Sequence, residues 1–170
     1  DVEEIWVHGG SYRFFIKHKT NTTHQISYEF YKLVGEEKWC GLTNPNELKA
    51  SFLRMKHNLL KLEGYLIDKK SLGKKIIGYG ASAKLSLILN IAQINNSLID
   101  YVIDTTPDKH YKFIPGTNIE ILPYSKELLM DSDICFLGAW NFKDSIRGKE
   151  KEYLSKGKIM LTHIPNVYEL

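Results

Sequence analysis

From Lys74 to the end of the chain, short apolar runs alternate with helical segments, and this alternation constrains the fold more than any other feature of the sequence. KKIIGYG, IDYVID, DICFLGAW and KIMLTHI read as strands, and NIEILP as a further short one. Between them SAKLSLILNIAQI, SKELLM and NFKDSIRGKEKEYLSKG read as helical, the last stopped by Gly157, and TTPDKHYKFIPGT as a long loop with two prolines. Strands that are apolar on both faces must be covered on both faces, which points to a parallel sheet with helices on either side. Right-handed crossovers then make this part a small doubly wound α/β domain.

Before that domain the pattern differs. IWVH and SYRFFIK alternate well enough for a pair of strands bent at Gly9-Gly10. Ile26, Phe30, Leu33 and Val34 mark a short amphipathic helix expected to end at Gly35, with Trp39 to Leu42 as loop. Asn44 can cap the next helix, Pro45 suits its first turn, and Glu47 sits where a capping box needs it. Leu48, Phe52, Met55, Leu59, Leu62 and Leu66 follow at steps of four and three, one apolar stripe over about 20 residues. At about 1.5 Å per residue that is roughly 30 Å of helix, and its stripe, Phe52 and Met55 included, is expected to pack as core.

Composition excludes several classes of function. A chain of 170 residues, 43% hydrophobic, supports one proper core with an appended piece. Its +3 charge comes from 23 basic and 20 acidic residues scattered along the chain, so no basic arm for nucleic acid is expected. Cys40 and Cys135 stand far apart with no His or Cys at ligand spacing, which argues against a metal site and for a reducing compartment. Cys135, in ICFLGAW, reads as core. The apolar runs are too short for a membrane span and no signal peptide opens the chain, so a cytoplasmic protein with no membrane partner is expected. The opening Asp1-Val2-Glu3-Glu4, with no initiator Met and already in strand pattern, is expected to continue from a larger protein.

The chemistry concentrates at GYGASAK. A strand-to-helix turn leaves unpaired N–H groups and the positive end of a helix dipole, an anion site when small residues admit a ligand. Gly78, Gly80, Ala81, Ser82 and Ala83 meet that condition, Ser82 adds a hydroxyl and Lys84 an ammonium one turn in. Two glycines, Ala83 at the third fingerprint position and Asp104 at the end of the next strand fit a nicotinamide dinucleotide site. A different phosphate ligand, or a turn that needs glycine for backbone reasons alone, fits equally. Lys109, His110 and Lys112, the Pro115-Gly116-Thr117 turn, and Trp140-Asn141-Phe142 follow strand ends, and their convergence on one sheet edge is expected.

GYGASAK, YVIDTTPDKHYKFIPGT and LGAWNF, in this order and spacing, resemble the C-terminal domain of S-adenosylmethionine-dependent C-methyltransferases that act on nucleotide-linked deoxysugars. DVEEIWVHGGSYRFF is similar to the segment that closes that family's methyltransferase domain. The resemblance covers essentially the whole chain. It implies residues 1–20 as a strand pair ending a methyltransferase domain, 21–72 as a helical linker region and 73–170 as a Rossmann-like C-terminal domain. It also implies a parent with a zinc-binding domain, a methyltransferase domain holding S-adenosylmethionine, and an upstream catalytic base. This segment would then hold a nucleotide-diphospho-sugar, with no cofactor site and no catalytic residue of its own.

By that resemblance Gly78, Gly80, Ala81, Ser82 and Lys84 lie at the nucleotide phosphates. Asp104 stands at the strand end; Lys112, Pro115, Gly116 and Thr117 form a loop over the substrate, and Trp140, Asn141 and Phe142 line its apolar side. Ser11, and His8 as an accessory polar group, would come from the methyltransferase side. Two departures stand out: Leu85-Ser86 replaces the family's Gly-Asn, and Thr105-Thr106 its Arg-Asn. Leu85 raises the question of whether a ligand can approach the helix start. The alternative is a nicotinamide-binding oxidoreductase or sensor module, and a third reading is an architectural domain.

Overall fold

The computed structural model describes residues 1–7 and 10–170, so His8 lies outside the described residues. The chain forms two compact units, 1–54 and 55–170.

In the first unit β1 (Val2–Ile5) and β2 (Ser11–Phe14) pair antiparallel, with Val2 opposite Phe14. Helix α1 (Tyr28–Trp39) begins at Ser27, whose side chain accepts a hydrogen bond from the Phe30 N–H at 3.3 Å. It does not stop at Gly35 as expected. A glycine within a helix costs about 1 kcal/mol without ending it, whereas a stop takes a residue in the left-handed region. Here that residue is Gly41, at φ +77°. Helix α2 (Pro45–Ser71) starts where the sequence places it, with Asn44 Oδ1 accepting from the Asn46 N–H at 3.0 Å.

The apolar stripe of α2 is packed over only part of its length. Leu59, Leu62 and Leu66 are buried, while Leu48, Phe52 and Met55 are exposed, which corrects the expectation that Phe52 and Met55 are core. Periodicity reports which face of a helix is apolar, not how far a partner extends along it.

The second unit is built on seven strands in the order β5-β6-β4-β3-β7-β8-β9. These are β3 (Ile76–Tyr79), β4 (Tyr101–Asp104), β5 (Phe113–Ile114), β6 (Ile119–Pro123), β7 (Ile134–Leu137), β8 (Ile159–Thr162) and β9 (Tyr168–Glu169). The expected parallel sheet is the stretch β6-β4-β3-β7-β8; β5 and β9 add antiparallel edges to it. Two-residue strands carry no alternation to read. Successive side chains of a strand point to opposite faces, so Ile76 joins a core with Leu62, Leu66 and Leu85, and Ile77 joins another with Cys135, Leu137 and Tyr153. Each fully buried aliphatic side chain contributes about 1.5–3 kcal/mol to such a core.

Helix α3 (Ala83–Ile91) follows β3, and α4 (Lys126–Met130) precedes β7. The single helix expected after β7 is a 3₁₀ turn (Trp140–Phe142), then α5 (Lys143–Lys149) and α6 (Lys151–Ser155). The break falls at Glu150, whose backbone leaves helical geometry (φ −102°, ψ 34°) and whose side chain is buried. From β3 the chain steps through β4 to β6 on one side and returns to β7 on the other. The reversal of strand order lies between β3 and β7, and open α/β sheets bind ligands outside the carboxyl ends of strands at such a point.

Candidate functional site

Gly80 stands at that reversal. Its φ of +86° belongs to the left-handed region, and a Cβ there would lie 3.0 Å from that of Ala139. Its N–H reaches the Ile103 carbonyl at 2.8 Å, and the Ser82 N–H returns to the Gly80 carbonyl at 2.9 Å, which closes the turn. Ser82 caps α3 by accepting from the Leu85 N–H at 3.2 Å, while its hydroxyl donates to the Gly138 carbonyl at 3.0 Å. Leu85 points inward: it is fully buried, and a Cβ on Gly138 would lie 2.9 Å from its own. The bulky residue at this departure therefore fills the core and leaves the mouth of the turn clear.

Asp104 ties the turn to the next loop. Its carboxylate accepts from the Ala81 N–H at 2.6 Å and the Thr106 N–H at 2.7 Å, and Lys109 Nζ lies 3.3 Å away. Burial pushes its pKa up, but the Thr106 hydroxyl and N–H, the Ala81 N–H and Lys109 together outweigh that and hold it below the usual carboxylate value. His110 Nε2 lies 2.8 Å from the Asp104 carbonyl oxygen.

A cleft of about 380 Å³ opens over these strand ends, lined by Tyr79, Gly80, Ser82, Ile103, Asp104, Thr105, Thr106, Lys109, Tyr124, Ala139, Phe142, Ile146 and Lys149. Behind its wall Glu150 Oε1 accepts from the hydroxyls of Tyr79 at 3.0 Å and Tyr124 at 2.8 Å. Lys149 Nζ lies 3.3 Å from that same oxygen, donates to the Tyr79 hydroxyl at 3.1 Å and sits 3.7 Å from the centre of the Tyr124 ring. Burial first, then the hydrogen bond to Glu150, pushes the Tyr124 hydroxyl up to about 12 and Tyr79 well above the usual phenol value. Both remain donors near neutral pH. The cleft thus offers ammonium groups, hydroxyls and aromatic surface, which is the chemistry of binding a polar or anionic molecule.

The sequence model of the family described as the C-methyltransferase C-terminal domain matches residues 6–165. The chain belongs to this family. It is also similar, at 29% identity over 169 residues, to the C-methyltransferase NovU of Streptomyces niveus, a match that takes in 97% of this chain and 39% of that protein. The chain therefore spans about two fifths of the length of this relative.

In this member of the C-terminal-domain family the expected site residues divide into groups. Gly80, Ser82, Asp104 and Phe142 line the cleft, and Ala81 borders it through its bond to Asp104. Gly78 lies within β3, where a Cβ would come 2.7 Å from Val102, so its small size serves strand packing. Lys84 Nζ stacks over the Trp140 ring at 5.0 Å, and neither of the two lines the cleft. Asn141 lies between Trp140 and Phe142 in the 3₁₀ turn. Lys112 donates to the Asp108 carbonyl.

The Pro115-Gly116-Thr117 turn lies at the opposite end of the sheet. β5 runs back against β6, with Ile114 opposite Ile119, so this turn stands at the amino end of β6. There the Pro115 carbonyl accepts from Asn90, near the end of α3, at 2.9 Å, and Thr117 is buried with its hydroxyl on the Ile114 carbonyl. The expected convergence on one edge holds for the glycine turn and Phe142, not for this turn. In the first unit Ser11 donates to the Val7 carbonyl at 2.9 Å. Tyr79, Tyr124, Lys149 and Glu150 carry no local sequence signal; Lys149 and Glu150 sit in a charge-rich run that reads as a solvated face.

Proposed function

We propose that this domain holds the nucleotide part of a nucleotide-linked keto-deoxysugar for a C-methyltransferase, and that its cleft at the β3/β7 reversal receives the substrate. The observation that carries this reading is the position of the cleft: a glycine turn, hydroxyls and two lysines at the carboxyl edge of a doubly wound sheet. S-adenosylmethionine supplies an electrophilic methyl group in such a reaction. Asp104, the acid lining the cleft, already accepts from Ala81, Thr106 and Lys109, so a hydroxyl of an adenosyl ribose would compete with these donors for it. The same competition disfavours a nicotinamide dinucleotide, whose ribose hydroxyl bonds to the acid at that strand end.

In this reading the donor site and the base that removes a proton beside the keto group belong to other parts of the parent protein. The exposed Trp6, Phe14, Ile16 and Trp39 of the first unit are apolar surface for those parts to cover. Among the described residues no helix is long and apolar enough to cross a membrane. Calorimetric titration with thymidine- and uridine-diphospho-sugars tests the reading: saturable binding is expected, and saturable binding of NADH with none of any diphospho-sugar contradicts it.

A further inference from the structure

The two lysines that line the cleft share one arrangement. Lys109 Nζ is 3.3 Å from Asp104 Oδ2, and Lys149 Nζ is 3.3 Å from Glu150 Oε1. In both pairs the acid is inside, with side chains 8% and 5% exposed, and the base is outside, at 39% and 50%. Each pair is close to neutral, yet the end that a ligand meets from the cleft is the ammonium. Lys109 belongs to the loop after β4 and Lys149 to α5, so the cations come from different walls, with the small residues Gly80 and Ser82 also on the lining. The ring of Tyr124 and the hydroxyl of Tyr79 fix Lys149 in place before a ligand arrives, which lowers the ordering cost of binding.

We infer that Lys109 and Lys149 form a two-sided clamp for a pyrophosphate group. A single carboxylate satisfies one ammonium, whereas two linked phosphates present anionic oxygens to both walls. The cleft volume of about 380 Å³ admits such a group with part of the moiety attached to it. The inference deepens the nucleotide-sugar reading and rests on it for the identity of the natural ligand. It also moves the phosphate contacts away from Lys84 and Lys112.

Calorimetry with inorganic pyrophosphate, and separately with thymidine-diphospho-glucose, tests the clamp. Lys109→Met and Lys149→Met are each expected to weaken pyrophosphate binding roughly tenfold or more, the loss of one charge-assisted contact. Lys126→Met, which removes a lysine outside the cleft, leaves it unchanged. Glu150→Gln keeps an oxygen for both tyrosines but removes the charge opposing Lys149, so it tightens pyrophosphate binding, a gain that damaged packing cannot give. Pyrophosphate affinity within twofold of the unsubstituted protein in both methionine variants, or no gain in Glu150→Gln, overturns the clamp. Diphospho-sugar binding that persists unchanged in both methionine variants overturns the clamp and leaves the substrate reading standing. Pyrophosphate binding through both lysines with no diphospho-sugar binding keeps the clamp and removes that reading.

Discussion

The carboxylate of Asp104 accepts a hydrogen bond of 2.6 Å from the backbone N–H of Ala81, and so links the end of β4 to the glycine turn after β3. This acid thereby fixes the turn that shapes the cleft. Asp104→Asn sets an amide or a weaker carbonyl against the N–H groups of Ala81 and Thr106, and a loss of about 1–3 kcal/mol is expected in urea unfolding at neutral pH. Because the folded pKa of Asp104 lies below its ordinary value, its contribution is complete above about pH 4 and disappears as pH falls through the lowered folded value. The Asn variant should lack that part of the acid dependence.

A second prediction concerns His163, which is buried after β8 with its ring 5.5 Å from that of Phe136. Burial pushes its pKa down to about 4. Between the unfolded value near 6.5 and that folded value the unfolded chain binds the extra proton, so stability falls as pH is lowered through this window. The full difference is about 3 kcal/mol. His163→Leu should flatten stability between pH 6.5 and 4, measured by urea unfolding at a series of pH values; an unchanged slope would show that His163 is not the group responsible.

Gly138 and Gly148 give opposite expectations for one substitution. A Cβ on Gly138 would stand 2.5 Å from the Gly80 carbonyl oxygen and 2.9 Å from Leu85 Cβ, whereas one on Gly148, within α5, meets nothing within 4 Å. Gly138→Ala is expected to destabilise by about 1–3 kcal/mol through overpacking. Gly148→Ala is expected to stabilise by about 0.5–1 kcal/mol through helix propensity. Thermal unfolding of both variants checks the pair.

Tyr79 and Tyr124 both donate to Glu150 Oε1. Tyr79→Phe removes one donor from a buried carboxylate and is expected to cost about 1–3 kcal/mol. The double variant with Tyr124→Phe is expected to cost a different amount from the sum of the single ones, since the two hydroxyls share one acceptor. Strict additivity in a double-mutant cycle would contradict this coupling.

The glycine turn was legible because its information is local: strand, small residues and helix start occupy one stretch from Ile76 to Leu85. The Pro115-Gly116-Thr117 turn was misplaced because the reversal that carries it away depends on Phe113–Ile114 pairing with β6, a strand of two residues with no pattern of its own. Lys149 and Glu150 were hidden for another reason. In the sequence they belong to a charged helix; only the strand order brings them to the ends of β3 and β6, where Tyr79 and Tyr124 wait. Leu85 could not be judged from its size alone, because the space it fills is left by Gly138, just past the end of β7.

The proposed nucleotide-sugar site lies at the carboxyl edge of the sheet. Backbone amide chemical-shift mapping during titration with a thymidine- or uridine-diphospho-sugar tests it most directly, because the two ends of the sheet carry separate reporters. The largest shifts are expected at Gly80, Ser82, Thr106, Lys109 and Lys149, which line the cleft. Shifts confined to Asn90, Gly116 and Thr117 at the opposite end, or no shifts at saturating ligand, would contradict it.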